Sequence, residues 1–178
     1  KLRYKRSILG FAWSLLNPLA QALVFAFVFG PVLPLDIPNY PLFLLAGLLP
    51  WNWFSSSLLL ATGAIVDNRD LIKRPGLPAA ILPTVRVTSD LIHFLMALVV
   101  LCVFLLVAGI RPTAAIVLLP LVIVTQFTLV LSLSYFVATF HVRFRDTQYL
   151  LSVVLQMVFV LTPIFYDIDI ISARYQPF

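Results

Sequence analysis

Lys1, Arg3, Lys5 and Arg6 crowd the start of the chain. The guanidinium groups of Arg3 and Arg6 can hold a phosphate through paired N–H donors and the Lys5 ammonium can add a point charge, so the opening can act as a headgroup-binding platform. The plainer alternative is a cationic flank that only sets topology. A second group, Arg86, Asp90 and His93, recurs at steps of four and three and shares one helix face. Within a membrane such a face can relay protons; near a span's end it can simply pair its charges. A third is the run DNRDLIKRPGLPAAILP from Asp67 to Pro83, with both signs of charge and three prolines. Its Leu71, Ile72, Leu77, Ile81 and Leu82 have no use in a solvated linker but suit a short helix docked into a partner's groove. A turn resting on lipid is the alternative.

The elements that must carry these residues follow from composition. Of 178 residues, 62% are hydrophobic and 11% charged, against about 25% charged in a typical globular protein. Windows free of Asp, Lys and Arg run over Ser7–Leu35, Ile37–Val66, Leu91–Ile110, Pro112–Val142 and Thr147–Tyr166. Each is long enough to cross a bilayer as helix. The sequence therefore predicts an all-α integral membrane protein with five transmembrane helices, in one domain over residues 1–178. All seven acidic residues are Asp, so the Glu–Lys pairing of soluble helix surfaces is absent. The net charge of +5 in so apolar a chain points to anionic membrane lipids and not to nucleic acid. Cys102 is the single cysteine, which excludes an intrachain disulfide and any cysteine metal cluster.

Lys and Arg favour the cytoplasmic side. With the N-terminus inside, Lys1, Arg3, Lys5, Arg6, Arg69, Lys73, Arg74, Arg86, Arg143 and Arg145 are cytoplasmic, and Arg111 and Arg174 are not. Within residues 1–18, the polar or small stripe Arg3, Ser7, Gly10, Ser14 and Asn17 opposes Leu9, Ala12, Trp13 and Leu16. That is the pattern of an interfacial helix lying on the membrane, anchored by Trp13 at headgroup depth and interrupted at Pro18.

RYKRSILGFAWSLLNPL at Arg3–Leu19, LIKRPGLPAAILP at Leu71–Pro83, HVRFRD at His141–Asp146 and TPIFYDI at Thr162–Ile168 together resemble the membrane subunits of ABC-2 type polysaccharide exporters, which move O-antigen, capsule and teichoic acid chains. The resemblance covers essentially the whole chain. It departs where Leu77 precedes Pro78, a place many members give to an aromatic residue. It implies a sixth helix past Phe178, and with the start at Lys1 it points to terminal parts beyond the given ends.

The resemblance also implies a permease in the bacterial inner membrane, working as a homodimer with a cytoplasmic ABC ATPase on a lipid-linked glycan. Asp67, Arg69, Asp70, Lys73, Arg74, Pro75, Leu77 and Pro78 would form the coupling segment, 67–83, that meets this ATPase. The chain itself lacks a P-loop: its six glycines are followed by Phe, Pro, Leu, Ala, Leu and Ile, never by Lys. It is therefore expected not to be an enzyme, to hold no metal or cofactor, and to leave ATP and magnesium to the partner. Sugar rings offer apolar faces to aromatic walls, which makes Phe25, Phe29, Trp51, Trp53 and Phe54 candidate channel lining; membrane packing or belt positions are the alternative. Two other functions compete, an ABC-2 exporter of drugs or lipids and a secondary transporter coupled to protons through Arg86, Asp90 and His93.

Overall fold

The computed structural model describes residues 39–72, 76–110 and 113–164, together with Leu16, Leu19, Ala20, Leu23, Val24 and Phe27. All regular structure among these residues is helical. Helix α1 spans Tyr40–Asp67 and α2 is a single turn, Arg69–Ile72. Helix α3 spans Ile81–Val107, α4 Leu119–Arg143 and α5 Thr147–Leu161, with a 3-10 turn, Ala114–Leu118, leading into α4.

Local chemistry explains most of these boundaries. Asn39 takes a left-handed conformation (φ 55°), which Asn tolerates better than most residues, and its carbonyl accepts from the Leu42 and Phe43 amides at 2.8 and 3.2 Å. Pro41, in the first turn of α1, gives up an N–H that would have had no helical acceptor. At the far end the Asn68 side-chain amide donates to the Ala64 carbonyl at 2.9 Å. Helix α3 closes on Gly109 (φ 76°), with Gly109 N–H donating to Leu106 and Ile110 N–H to Leu105, both at 3.0 Å. This pair of reversed bonds needs a left-handed residue, which glycine supplies without a Cβ penalty.

Helix α1 is the central element and packs against α3, α4 and α5. Its Leu44, Leu45, Leu48, Leu49 and Trp53 join Phe94, Ala97 and Leu101 of α3 in the main core. A second cluster brings Ala61, Val87 and Val130 together from α1, α3 and α4. The outer surfaces are greasy: Val117, Phe136, Leu150 and Leu161 are all exposed. Apolar exposure on this scale belongs to a protein surrounded by lipid or further protein.

Three helices, α1, α3 and the stretch Ile116–Arg143, are long and apolar enough to span a membrane. Helix α3 begins at Ile81, where the charge-free window began only at Leu91; Pro83 falls in the first turn, where helices accept proline, and Arg86 and Asp90 lie within the helix. Helix α5 is shorter than its window and ends at Leu161. Thr162 precedes Pro163, which forces it into an extended conformation (ψ 132°). At 15 residues, α5 is about 22 Å long, less than a bilayer core of about 30 Å. Most of the first window and of the expected interfacial helix lies outside the described residues.

Candidate functional site

A cleft of about 550 Å³ opens between α1, α4 and the end of α5. Phe43, Ala46, Gly47, Pro50, Trp51 and Phe54 form its α1 wall, Gln126 and Leu129 its α4 wall, and Val158 with Thr162–Ile164 the remaining side. Trp51 organises the aromatic part, with ring centroids 5.7 Å from Phe54 and 5.4 Å from Phe159. Ile164 turns back into the core and is buried. It presses so close to Gly47 that a Cβ there would sit 3.1 Å from Ile164 Cγ2.

Pro50 makes this wall chemically unusual. It stands inside α1 and has no N–H, so the Ala46 carbonyl loses its regular helical donor. Gln126 Nε2 donates to the Pro50 carbonyl at 2.9 Å from the neighbouring helix. In a bilayer, irregular backbone of this kind is tolerated where it is covered by protein or lines a watery cavity. Here it lines the cleft.

The candidate aromatic residues divide. Trp51 and Phe54 are half-buried on the cleft wall, whereas Trp53 is buried in the core, stacked on Phe94 at 4.7 Å, and is not on the cleft. Phe25 and Phe29 lie outside the described residues. Trp53 points its ring to the other side of α1 because residues 51 and 53 are about 200° apart on a helix of 3.6 residues per turn.

Arg86, Asp90 and His93 do share one face of α3, but Asp90 is directed to α1. Its carboxylate accepts from Ser56 and Ser57 Oγ at 3.1 and 3.3 Å. Ser57 is fully buried, Asp90 half-buried and Arg86 exposed. The interhelical clasp, absent from the sequence reading, had a visible signal in the run Ser55-Ser56-Ser57 within an apolar helix. Gln126 was likewise the one amide of its span.

Asp67, Arg69 and Asp70 are exposed at the α1–α2 end, Leu77 is half-buried and Pro78 exposed. Lys73, Arg74 and Pro75 lie outside the described residues, as do Arg3, Lys5, Arg6 and Trp13. Ile81 and Leu82 belong to the first turn of α3, so the connection proper runs from Asn68 to Ala80. Gly76 sits there with φ 89° and open space around it, as a sharp turn requires. The turn Phe144–Asp146 between α4 and α5 places Arg143 at a helix C-terminus and Asp146 at a helix N-terminus, both favourable with the backbone dipoles.

Long apolar helices packed around a cleft whose wall has broken helical bonding define a polytopic membrane protein. The chain belongs to the ABC-2 type transporter family, whose pattern matches residues 1–177. It is 41% identical over 172 residues to the O-antigen export system permease protein RfbA of Myxococcus xanthus, covering 97% of this chain and 66% of the relative. A Klebsiella pneumoniae protein of the same name is 36% identical over 176 residues, 98% of this chain and 68% of the relative. The polysialic acid transport protein KpsM of Escherichia coli is 36% identical over 81 residues, 44% of this chain and 31% of the relative. The chain spans about two thirds of the length of its O-antigen relatives.

Proposed function

We propose that this chain is the membrane subunit of an ATP-driven exporter that moves a lipid-linked, O-antigen-like polysaccharide across the bacterial inner membrane. The observation that carries this reading is the 41% identity to an O-antigen export permease over 97% of the chain. Two copies would enclose the path, since helices this few leave no polymer-wide channel within one. A separate ABC ATPase would bind ATP and magnesium and push on the connection between α1 and α3. The basic opening, Arg3, Lys5 and Arg6, would meet the diphosphate of the carrier lipid from the cytoplasmic face. The seam between copies would then open as a rigid-body movement, with Trp51 and Phe54 beside the passing sugars.

The test is deletion of the gene followed by analysis of lipid-linked glycan. Export as proposed requires loss of surface polymer and accumulation of its lipid-linked form inside, both reversed by the wild-type gene. An unchanged surface polymer would remove the reading. Lys73→Asp with Arg74→Asp should strip the ATPase from the purified complex; full co-purification with coupled turnover would remove the coupling assignment.

A further inference from the structure

We propose that the cleft between α1, α4 and the Thr162–Ile164 turn is a sugar subsite selective for uncharged residues over acidic ones. The inference rests on the glycan-export reading and adds the chemical class of the repeat unit. Three features of the wall carry it. The first is the orientation of Gln126. A carbonyl can only accept, so the Gln126 amide must present Nε2 to Pro50, which leaves Oε1 as an acceptor on a residue that lines the cleft. The second is the Ala46 carbonyl, another acceptor on the same wall, released from its usual donor by Pro50. Hydroxyl donors of a sugar match both.

The third feature is the aromatic surface of Phe43, Trp51 and Phe54. Aromatic faces carry the negative side of a quadrupole, which attracts the slightly positive C–H face of a sugar ring and repels a carboxylate. None of the described residues lining the cleft is charged. A uronic or sialic acid entering it would leave water without gaining a cation, and an unpaired charge in an apolar site is costly. The volume of about 550 Å³ lies within the range of small-ligand sites.

The experiment uses the permease assembled with its ATPase in lipid nanodiscs, and equilibrium dialysis of two radiolabelled oligosaccharides of equal length. One is built of neutral hexoses and the other has alternate residues replaced by hexuronic acid. The neutral probe should bind at least about tenfold more tightly. Gln126→Leu and Trp51→Leu should each weaken it about threefold to tenfold, and Gln126→Lys should reverse the order of the two probes. Equal or tighter binding of the acidic probe to the wild type overturns the proposal, as does absence of binding or indifference to both leucine variants. Quenching of Trp51 fluorescence by brominated acyl chains, undiminished by the neutral probe, would make the cleft a lipid site and overturn it too. Loss of lipid-linked glycan export is read separately in cells, so an exporter indifferent to sugar charge would lose this inference and keep its proposed function.

Discussion

Ser56 on α1 donates a hydrogen bond to the carboxylate of Asp90 on α3 across 3.1 Å, and the next residue, Ser57, does the same at 3.3 Å. The two helices that supply most of the core are thus also joined by a polar clasp, close to the Trp53–Phe94 stack at 4.7 Å. Asp90 is one turn from both Arg86 and His93, yet one of its carboxylate oxygens, Oδ2, accepts from both serines across the interface. This geometry favours a fastening over a proton relay.

Asp90→Asn keeps an oxygen acceptor for both serines and removes the titrating group. Export should remain near the wild-type level, and dissipating the proton gradient at constant ATP should leave it unchanged. Asp90→Leu removes the acceptor and should cost about 0.6 to 2 kcal/mol, the range for interhelical hydrogen bonds in membranes, lowering the melting temperature in detergent. Loss of transport in Asp90→Asn with normal abundance would instead identify a proton-coupled transporter.

Trp51 and Trp53 separate function from stability. Trp53→Ala opens a hole in the core and should cost about 3 to 5 kcal/mol, seen as a steep loss of membrane-inserted protein. Trp51→Ala truncates a half-buried ring on the cleft wall. Abundance should hold while export per molecule falls severalfold, as quantitative immunoblotting beside surface-glycan measurement will reveal. Equal loss of abundance in both variants would make Trp51 a packing residue only.

Two glycines of α1 should respond with opposite sign. A methyl at Gly63 would meet Asp67 Oδ2 at 2.7 Å, the free end of an exposed, flexible side chain that can rotate away. Gly63→Ala should therefore retain most of the helix-propensity gain of about 1 kcal/mol and raise thermal stability. A methyl at Gly47 would meet Ile164 at 3.1 Å, and Ile164 is buried and held by the turn after α5. Gly47→Ala should destabilise by about 1 kcal/mol or more, because the added methyl meets Ile164 Cγ2 at 3.1 Å with the Ile164 Cα only 3.8 Å away, so relief requires the turn itself to shift. Melting curves of the two purified variants decide the signs.

The sequence made α1 and α4 legible because unbroken apolar runs of bilayer length have few other uses. Charge-free windows misjudged the start of α3, since a helix can carry Arg86 outward and Asp90 against serines without leaving the bundle. They also overran α5, which ends at Leu161, where the conformational demand of Pro163 on Thr162 outweighs the apolarity of Ile164. Trp51 and Phe54 were readable as a candidate wall. Their separation from Trp53 was not, because it depends on which side of α1 meets α3, and aromatic content carries no such direction. The pairing of Gln126 with Pro50 joins residues 76 positions apart in the chain, beyond the reach of any local pattern.

Orientation supplies the last prediction. Thr84 Oγ1 lies 2.7 Å from Tyr135 Oη, which ties the start of α3 to the second half of α4. The α1–α3 connection and the α4–α5 turn consequently share one end of the bundle, while the α3–α4 connection lies at the other. Arg69, Arg86, Arg143 and Arg145 belong to the first end, and none of the described residues at the second is Lys or Arg. That imbalance predicts a cytoplasmic first end. In a Cys102→Ser background, a membrane-impermeant maleimide applied to spheroplasts should modify Thr113→Cys and leave Arg69→Cys and Arg145→Cys unmodified until the membrane is opened. Labelling of Arg69→Cys from outside would put the proposed ATPase contact in the compartment that lacks ATP, and the coupling segment would then need another partner.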